Sequence, residues 1–389
     1  MASERRQFIA ILLGMTAVKL WLAAVWGGTA DILHMRMAAE AFLSGHDVLE
    51  PSNMGFAPSF FPLGHYLLAS GSLALSRATG MPFMFLVKVP AVLADLGIAW
   101  LLLAMPRAGA RAALIYMANP ITLLLSSYHG QFHTVAVAGT AASLWLAEQG
   151  RCGWSGVALG LAASVRQHFA VLIVPLLRKA AAAHRALLAG FVLTVIPLNL
   201  WLLGSAHPNR VFAPTWTYGS WGYTMLLVQG PRVLRLLGVE PLASAATALN
   251  GLLEAHGTAV CWVWAVVFAV WAWRQGPNLD LWHAAVLFPL GLCAVTPGFG
   301  VQWLVWALPF WLIVHRRRAE IYCVLVSLFL MGSYWQWQLP GKYGVRSITA
   351  NLNLLSPVDL AGLIGVGAVG LLTWAYCAIS TWQLMRRPA

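Results

Sequence analysis

The sequence has little charge, and negative charge is the scarcest. Of 389 residues, only 12 are Asp or Glu and 24 are Lys or Arg, so charged residues make up 9% of the chain, whereas an ordinary soluble domain has about a quarter. A soluble fold of this size could not cover its surface with so few charges. Intrinsic disorder is excluded as well, because hydrophobic residues make up 60% of the chain.

Two other patterns are missing. The five cysteines have no CxxC spacing and lie mostly in apolar runs, which predicts packing residues without a disulfide or metal role. The apolar residues form continuous runs and do not alternate, so a transmembrane barrel is excluded. The sequence therefore predicts an all-α, polytopic helical membrane protein that forms one domain over residues 1–389 and has the lipid bilayer as its surroundings.

The net charge of +12 comes from short basic clusters between apolar runs. This is the positive-inside pattern and not a nucleic-acid-binding patch. If every cluster is cytoplasmic, both termini lie inside and about twelve spans (10–13) cross the membrane. We expect the spans at 8–26, 83–105, 111–127, 133–149, 153–165, 167–177, 186–204, 257–273, 281–295, 301–314, 320–337 and 357–383.

Two apolar segments are predicted not to cross. If 60–77 spanned the membrane, Arg107 and Arg111 would lie outside, so we expect a re-entrant or interfacial helix there. Segment 221–256 carries several charges and is predicted to form interfacial helices. The segments 27–82 and 205–256 then form the long extracytoplasmic regions, and any chemistry is expected on that side, with 27–82 as the catalytic loop.

Four of the twelve acids lie between Asp31 and Glu50. Asp31 follows the first span and begins a predicted amphipathic helix that reaches Ser44. It is interpreted as the helix N-cap, contributing about 1 kcal/mol, and as a general base at the interface, two compatible roles. Amides at the helix start would lower its pKa and keep it ready to accept a proton. Asp47 and Glu50 are the next candidates for the base.

Further polar residues lie within or between the apolar runs. Lys88 is expected to reach the interface, and Asp95 to pair with another helix while remaining a functional candidate. His129 and His133 have the i, i+4 spacing of a zinc helix, but the HExxH glutamate is absent and Gly130 lies between them. This polar cluster is therefore predicted to contact a sugar or a phosphate, and no metal is expected.

Arg166 separates the short segments 153–165 and 167–177, which we interpret as a broken pair with its apex on the outer side. An arginine in the bilayer is costly without an anion, and a lipid phosphate is its natural partner. The segments FFPLGHY (60–66) and PGFGVQW (297–303) are consistent with interfacial anchoring and equally with sugar contacts.

The order of these motifs resembles the GT-C superfamily of membrane glycosyltransferases, which use polyprenyl-phosphate sugars. The matching series is Asp31 after the first span, then FFPLGHY, KVPAVLADL, ANPITLLLSSYHGQFH and VRQHFAVLIVP. The last two are similar to the dolichyl-phosphate-glucose glucosyltransferases of N-glycan assembly, with Arg166 in place of a Lys. The layout also resembles the GPI and bacterial polyprenyl mannosyltransferases. The resemblance covers residues 8–180 best.

The resemblance implies an inverting hexosyltransferase of the bacterial inner or plasma membrane, with its active site facing outward. It implies Asp31 as catalytic base, a polyprenyl-phosphate sugar as donor, and a lipid, glycan or protein as acceptor. No cofactor is expected, because cationic side chains would stabilise the leaving phosphate. The residues predicted to bind the donor phosphate or sugar are Arg166, Gln167, Lys88, His129, Gln131, His65, Tyr66, Gln302 and Arg346.

Two other classes of protein share this composition. A lipid flippase or small-solute transporter is also helical and basic inside, although transporters commonly carry repeats and ionisable residues near the midplane. A structural membrane subunit is the other alternative. The outer loop with its four acids disfavours the subunit, and the gathering of ionisable residues on one side disfavours the transporter.

Overall fold

The computed structural model describes residues 2–50, 61–207, 221–236, 238–344 and 354–386. Within these ranges the chain is helical and contains no strand. The all-α prediction is therefore confirmed for the described part of the chain. All five cysteines lie buried in this helical assembly.

The first half of the chain folds into eleven α-helices within the described residues: α1 Ala2–Val25, α2 Ala30–Leu43, α3 Leu63–Thr79, α4 Phe83–Leu86, α5 Val89–Ala104, α6 Gly109–Ala118, α7 Pro120–Thr122, α8 His133–Glu148, α9 Cys152–Val165, α10 Ile173–Ala180 and α11 His184–Asn199. A π-helix, Leu123–His129, follows α7 directly. Short 3-10 helices cover Gln167–Leu172, Ala181–Ala183 and Leu200–Gly204.

The second half, in the part described, contains seven more α-helices: α12 Met225–Leu236, α13 Glu240–Gln275, α14 Leu281–Val295, α15 Leu308–Val314, α16 Arg316–Gln336, α17 Leu339–Lys342 and α18 Pro357–Arg386. A 3-10 helix, Val301–Val305, precedes α15. The main buried core runs through both halves and contains Trp282, Trp306 and Trp311.

In the part of the chain that the structure describes, five stretches of helix are long and apolar enough to cross a membrane, which indicates a membrane protein. They are Arg6–Val25, Phe83–Ala104, His184–Gly204, Ala255–Gln275 and Pro357–Arg386. A hydrocarbon core of about 30 Å needs roughly 20 helical residues, and the other apolar helices are shorter or broken. The count of about twelve spans stays a prediction.

The predicted single span 111–127 is wrong as a continuous helix. Helix α6 ends at Ala118, because Pro120 cannot continue the hydrogen-bond ladder. The Asn119 side chain covers both exposed ends: its amide donates to the backbone oxygen of Ile115 at 2.7 Å and accepts from the Thr122 amide at 3.1 Å. The helical path is thereby interrupted at Asn119, whose backbone is extended.

The predicted span 257–273 agrees with the apolar stretch Ala255–Gln275, but the helix that contains it begins earlier than expected. Helix α13 runs without interruption from Glu240 to Gln275 over 36 residues, a length of about 54 Å. Its first half was predicted as a separate interfacial helix because it carries charge. Helix propensity is high through this alanine- and leucine-rich stretch, so the charges do not break it.

Close packing of α9 against α11 depends on glycine. A Cβ on Gly156 would overlap the backbone oxygen of Leu187, and a Cβ on Gly190 would overlap the backbone oxygen of Gly153. Small residues at such positions let two helix backbones approach each other inside a membrane. The contact holds the first half of α9 against α11.

The two ends of the bundle differ in chemistry. At one end, Arg107 binds Asp280 at 3.0 Å and Arg111 binds Glu320 at 2.8 Å. Glu320 also lies 3.8 Å from Arg316, so two of the basic clusters lie close together. At the other end lie the polar residues that follow α1, α9 and the π-helix. Segment 63–88 begins next to this cluster, where His65 contacts Arg166, and ends at Lys88 beside the end of α1; whether α3 crosses the membrane stays a prediction.

Candidate functional site

Asp31 lies at the second position of α2, and its carboxylate faces a polar cluster built from distant parts of the chain. The N-cap of α2 is Thr29, so the interpretation of Asp31 as N-cap is wrong. Its Oδ2 lies 2.8 Å from Nε2 of His129 and also accepts a short hydrogen bond from the side-chain amide of Gln131. The side chain remains 36% exposed. His129 and Gln131 therefore bind the carboxylate while part of it stays accessible from outside the protein.

His129 connects Asp31 to Tyr334 of α16. The imidazole is 2% exposed, and its Nδ1 lies 2.8 Å from the Tyr334 hydroxyl. With Nε2–H directed at the carboxylate, Nδ1 is the acceptor and the tyrosine hydroxyl donates. Because the ring is buried, the accessible member of this chain of three groups is the carboxylate of Asp31.

The orientation of the Gln131 amide follows from its neighbours. The indole N–H of Trp306 donates to Nδ1 of His133 at 2.7 Å, and an indole nitrogen can only donate. His133 therefore carries its proton on Nε2, which lies 2.7 Å from Oε1 of Gln131. The amide oxygen faces His133 and Arg166, and the NH2 group faces Asp31.

Arg166 occupies the centre of the cluster and is 1% exposed. Its Nη2 donates to Oε1 of Gln131 at 3.1 Å, and its Nη1 lies 3.0 Å from Nδ1 of His65. The guanidinium carbon lies 4.2 Å from the ring centroid of Phe61, within the range of a cation–π contact. A single amide thus separates the Asp31 carboxylate from a buried, permanent positive charge.

The surroundings keep Asp31 ionised. Burial by neighbouring groups raises the pKa of its carboxyl, but the hydrogen bonds from His129 and Gln131 outweigh burial, so the pKa lies below its ordinary value. The expected direction is confirmed. The cause differs from the expectation. The hydrogen bonds come from the side chains of His129, at the end of the π-helix, and Gln131, just after it, and not from the backbone amides at the start of α2.

Local backbone geometry places these two side chains. The π-helix Leu123–His129 ends at Gly130, which has a φ of 75°, a conformation that favours glycine. A Cβ there would lie 2.8 Å from Cγ of Lys88 and 3.2 Å from Cδ1 of Ile32. Gly130 therefore lets the turn approach α2 closely enough for His129 and Gln131 to reach Asp31 from two directions.

The other acids of the first loop are engaged elsewhere. Glu40 pairs with Arg36 on the exposed face of α2 at 3.0 Å. Asp47 accepts from the Ser205 hydroxyl at 2.7 Å, and Glu50 lies 2.6 Å from Nε2 of His207. The contacts of Asp47 and Glu50 join the segment that follows α2 to residues 205–207.

An apolar cavity of about 400 Å³ adjoins the cluster. Gln167 and His168, which follow Arg166 directly, form part of its wall, and Pro62 beside Phe61 forms another part. Apolar side chains such as Leu202, Trp262 and Phe288 complete the lining. Since the cavity begins at the residues next to a buried cation, it can accept an apolar chain attached to an anionic group.

The remaining predicted binding residues lie around this centre. The ammonium of Lys88 donates to the backbone oxygens of Ala23 and Trp26 at 3.1 and 2.7 Å, and so caps the end of α1. Tyr66 is buried in a small apolar cluster that includes Leu202. The Tyr66 hydroxyl accepts from the backbone amide of Phe61 at 3.5 Å, so Tyr66 adjoins the cluster beside Phe61.

Gln302 and Arg346 complete the predicted set. Gln302 is 5% exposed and sits in the 3-10 helix that leads to Trp306. The neighbouring Trp303 stacks on Trp306 with ring centroids 5.0 Å apart, so this loop touches the cluster through its indoles. Arg346 lies outside the described residues.

Three participants were missed by sequence analysis. Tyr334 lies 205 residues from its partner His129, and no local pattern marks it. Trp306 lies three residues beyond the segment PGFGVQW, and Phe61 lies within FFPLGHY, where no pattern marks it as the partner of a cation. The described residues contain no group of three or more His, Cys, Asp and Glu side chains that could hold a metal, and metal independence stays a prediction.

The chain matches no known protein-family model and no curated protein. A partly exposed carboxylate with a lowered pKa can accept a proton, and a buried guanidinium beside an apolar cavity can hold an anionic group with an apolar tail. The two functions lie next to each other at one end of the helical bundle.

Proposed function

We propose that this protein is a GT-C-type membrane glycosyltransferase. It moves a hexose from a polyprenyl-phosphate-linked donor to an acceptor hydroxyl on the extracytoplasmic side. One observation carries the proposal: the hydrogen-bonded series Asp31–Gln131–Arg166 puts a proton acceptor and an anion-binding cation on either side of one amide. Group transfer from a phosphate ester requires this pair of functions.

The proposed reaction inverts the anomeric carbon. Asp31 accepts the proton of the acceptor hydroxyl. At the same time the oxygen of that hydroxyl forms a bond to the anomeric carbon. The bond between that carbon and the phosphate oxygen breaks, and the polyprenyl phosphate leaves with the electron pair. Arg166 stabilises the negative charge that develops on the leaving oxygen, which is a large contribution in a site of low dielectric.

The neighbouring side chains have supporting roles in this scheme. His129 holds the Asp31 carboxylate through a 2.8 Å hydrogen bond and favours its ionised form. Gln131 keeps base and cation at a fixed separation, since its amide binds both. Phe61 covers the guanidinium and limits its access to water, which strengthens its interaction with a phosphate.

The cavity beside Gln167 supports a lipid donor over a nucleotide sugar. Its lining is mostly apolar, and its volume of about 400 Å³ suits the first isoprene units of a polyprenyl chain. Burial of apolar carbon provides about 25 cal/mol per Å². The cavity would thereby place the phosphate next to Arg166, where the charged head of the donor is needed.

The proposal is tested by transfer of a labelled sugar in proteoliposomes. The purified chain is reconstituted with synthetic polyprenyl-phosphate hexoses and a mixture of lipid and glycan acceptors. Labelled product that depends on the protein and on the prenyl phosphate supports the proposal. Release of free sugar alone, or no turnover with any polyprenyl-phosphate sugar, would refute it.

One observation favours a transporter as second candidate. Lys19 and Asp95 form an ion pair inside the bundle, with side chains 1% and 0% exposed, and ionisable residues within a membrane often mark a transport pathway. The same proteoliposomes, loaded with labelled lipid or solute, distinguish the two functions: a flippase or transporter moves label across the bilayer without forming a glycosidic bond.

A further inference from the structure

A second polar cluster lies in the bundle core, outside the proposed active site. The ammonium of Lys19 in α1 lies 2.7 Å from Oδ2 of Asp95 in α5 and donates to the Thr122 hydroxyl at 2.8 Å. The Tyr116 hydroxyl donates to Oδ1 of Asp95 at 2.9 Å. Asp95 thus joins α1, α5 and α6 through buried charge-assisted hydrogen bonds, which are among the stronger ones.

The fourth contact of this cluster reaches the π-helix. The Ser126 hydroxyl donates to Oδ2 of Asp95 at 2.5 Å, and Ser126 lies three residues before His129 in Leu123–His129. The two side chains that hold Asp31 come directly at the end of this segment and just after it. Asp95 is therefore attached to the backbone that carries the partners of the proposed base.

A π-helix needs such an attachment. Its hydrogen bonds run from i to i+5, it is rare, and it appears mostly as a single turn at functional sites. A return to α-helical geometry would rotate the following residues about the helix axis and turn His129 away from Asp31. A buried ion pair contributes little net stability compared with apolar packing, so stability alone does not explain this one.

We propose that Asp95, balanced by Lys19, is a positioning residue: through Ser126 it fixes the π-helix that sets His129 and Gln131 against Asp31. The geometric part of this inference stands on the contacts alone. Its effect on turnover rests on the proposed glycosyltransferase function, and the test below separates the two.

The test reads the ionisation of Asp31. The titratable or charged groups that face its carboxylate are His34 on α2, His129 on the π-helix and Tyr334 on α16, with Arg166 behind Gln131. A carbodiimide labels a carboxyl group in its protonated form. The pH midpoint of labelling at Asp31, measured by mass spectrometry on the full chain in detergent, therefore reports how well its two hydrogen bonds are kept.

The variant is Ser126→Ala, which removes the contact to the π-helix and leaves the ion pair intact. The matched control is Ser143→Ala, another buried serine, which donates to the backbone oxygen of Ser155 at 2.8 Å between α8 and α9. We expect the labelling midpoint to move to higher pH in Ser126→Ala and to stay at the wild-type value in the control. Asp95→Asn, which weakens the anchor at its centre, should move the midpoint in the same direction.

Turnover supplies the second readout. In Ser126→Ala we expect kcat to fall about tenfold with the donor KM within about twofold of wild type, since misplacement of a base affects the reaction more than ground-state binding. An unchanged midpoint in Ser126→Ala and Asp95→Asn would overturn the positioning role. So would an equal loss of kcat and melting temperature in Ser126→Ala and the control. If the wild-type protein transfers no sugar but the labelling midpoint of Asp31 still shifts in Ser126→Ala, the positioning role is kept and the proposed function is refuted.

Discussion

Replacement of His129 by Phe tests how the site keeps Asp31 ionised. The substitution preserves an aromatic ring between Tyr334 and Trp337, whose ring centroids lie 5.9 and 6.2 Å from that of His129. It removes both hydrogen bonds of the imidazole. Asp31 loses one of its two described donors, and the Tyr334 hydroxyl loses its acceptor.

The size of the effect follows from these contacts. A hydrogen bond to a charged group contributes about 1.5–3 kcal/mol, and the lower end applies because the carboxylate is 36% exposed and water replaces part of the lost bond. About 1.4 kcal/mol corresponds to one pKa unit, so the pKa of Asp31 should rise by about one unit. The Tyr334 hydroxyl, left buried without its acceptor, should cost about 1–3 kcal/mol of folding free energy.

The sign of the pH dependence is fixed by the direction of the shift. The pKa of Asp31 is lowered in the folded protein, so transfer should be constant at neutral pH and fall as the pH drops through that lowered value. In His129→Phe this fall should begin about one pH unit higher. The stability that Asp31 contributes through its partners is likewise present above the ordinary carboxyl pKa and lost as the pH falls.

The assay is the pH dependence of kcat in proteoliposomes at saturating donor, together with thermal unfolding. His256→Phe, the same replacement at an exposed histidine of α13, is the control and should leave the acidic limb in place. If the acidic limb of His129→Phe coincides with that of wild type, the assignment of Asp31 as a base held by His129 is refuted.

Three further results are expected. Arg166→Ala should weaken binding of a polyprenyl-phosphate sugar about 10- to 100-fold, as loss of charge-assisted hydrogen bonds does; unchanged affinity by donor-lipid titration would remove Arg166 from the site. Gly156→Leu should lower the melting temperature, since overpacking costs about 1–3 kcal/mol, whereas Gly14→Leu, with nothing within 4 Å of an added Cβ, should not; equal melting curves would contradict the close helix contact. Transfer should persist in a chelator, and loss restored by Mg²⁺ or Mn²⁺ would contradict a metal-free mechanism.

Sequence position alone identified the acid that faces the cluster. Asp31 is the first acid after an apolar run and before an amphipathic helix, and these two local patterns have a direct physical meaning in a bilayer. Arg166 was found for a similar reason, because an arginine between two apolar segments is costly and so demands a partner. Both inferences depend on near neighbours in sequence.

Partners that come from distant segments could not be predicted in this way. Asp95 was expected to pair with another helix, but nothing in the sequence pointed to Lys19, which lies 76 residues away. Tyr334 reaches His129 because α16 packs beside the π-helix, and that arrangement depends on the whole bundle. The π-helix itself has no sequence signature, since its i to i+5 bonds are imposed by tertiary contacts.

Breaks and continuities in helices were predicted unevenly. The break at Arg166 was expected because each flanking segment is too short to cross a membrane. The break at Asn119 was missed because hydrophobicity continues through Pro120, although proline within an apolar run often ends a helix. The continuity of Glu240–Gln275 was missed for the opposite reason. The charged residues of segment 221–256 predicted a helix separate from the following span, but helix propensity stays high across the junction.

The central claim is that Asp31 is the base of a sugar-transfer reaction. Its most direct test compares Asp31→Asn with Glu40→Gln, the same change of carboxylate to amide at the exposed surface of α2. Labelled sugar transfer and donor-lipid affinity are measured on both variants in proteoliposomes. Asp31→Asn should bind donor with wild-type affinity and transfer sugar at least about 100-fold more slowly, while Glu40→Gln keeps both properties. Transfer by Asp31→Asn at the wild-type rate would contradict the account.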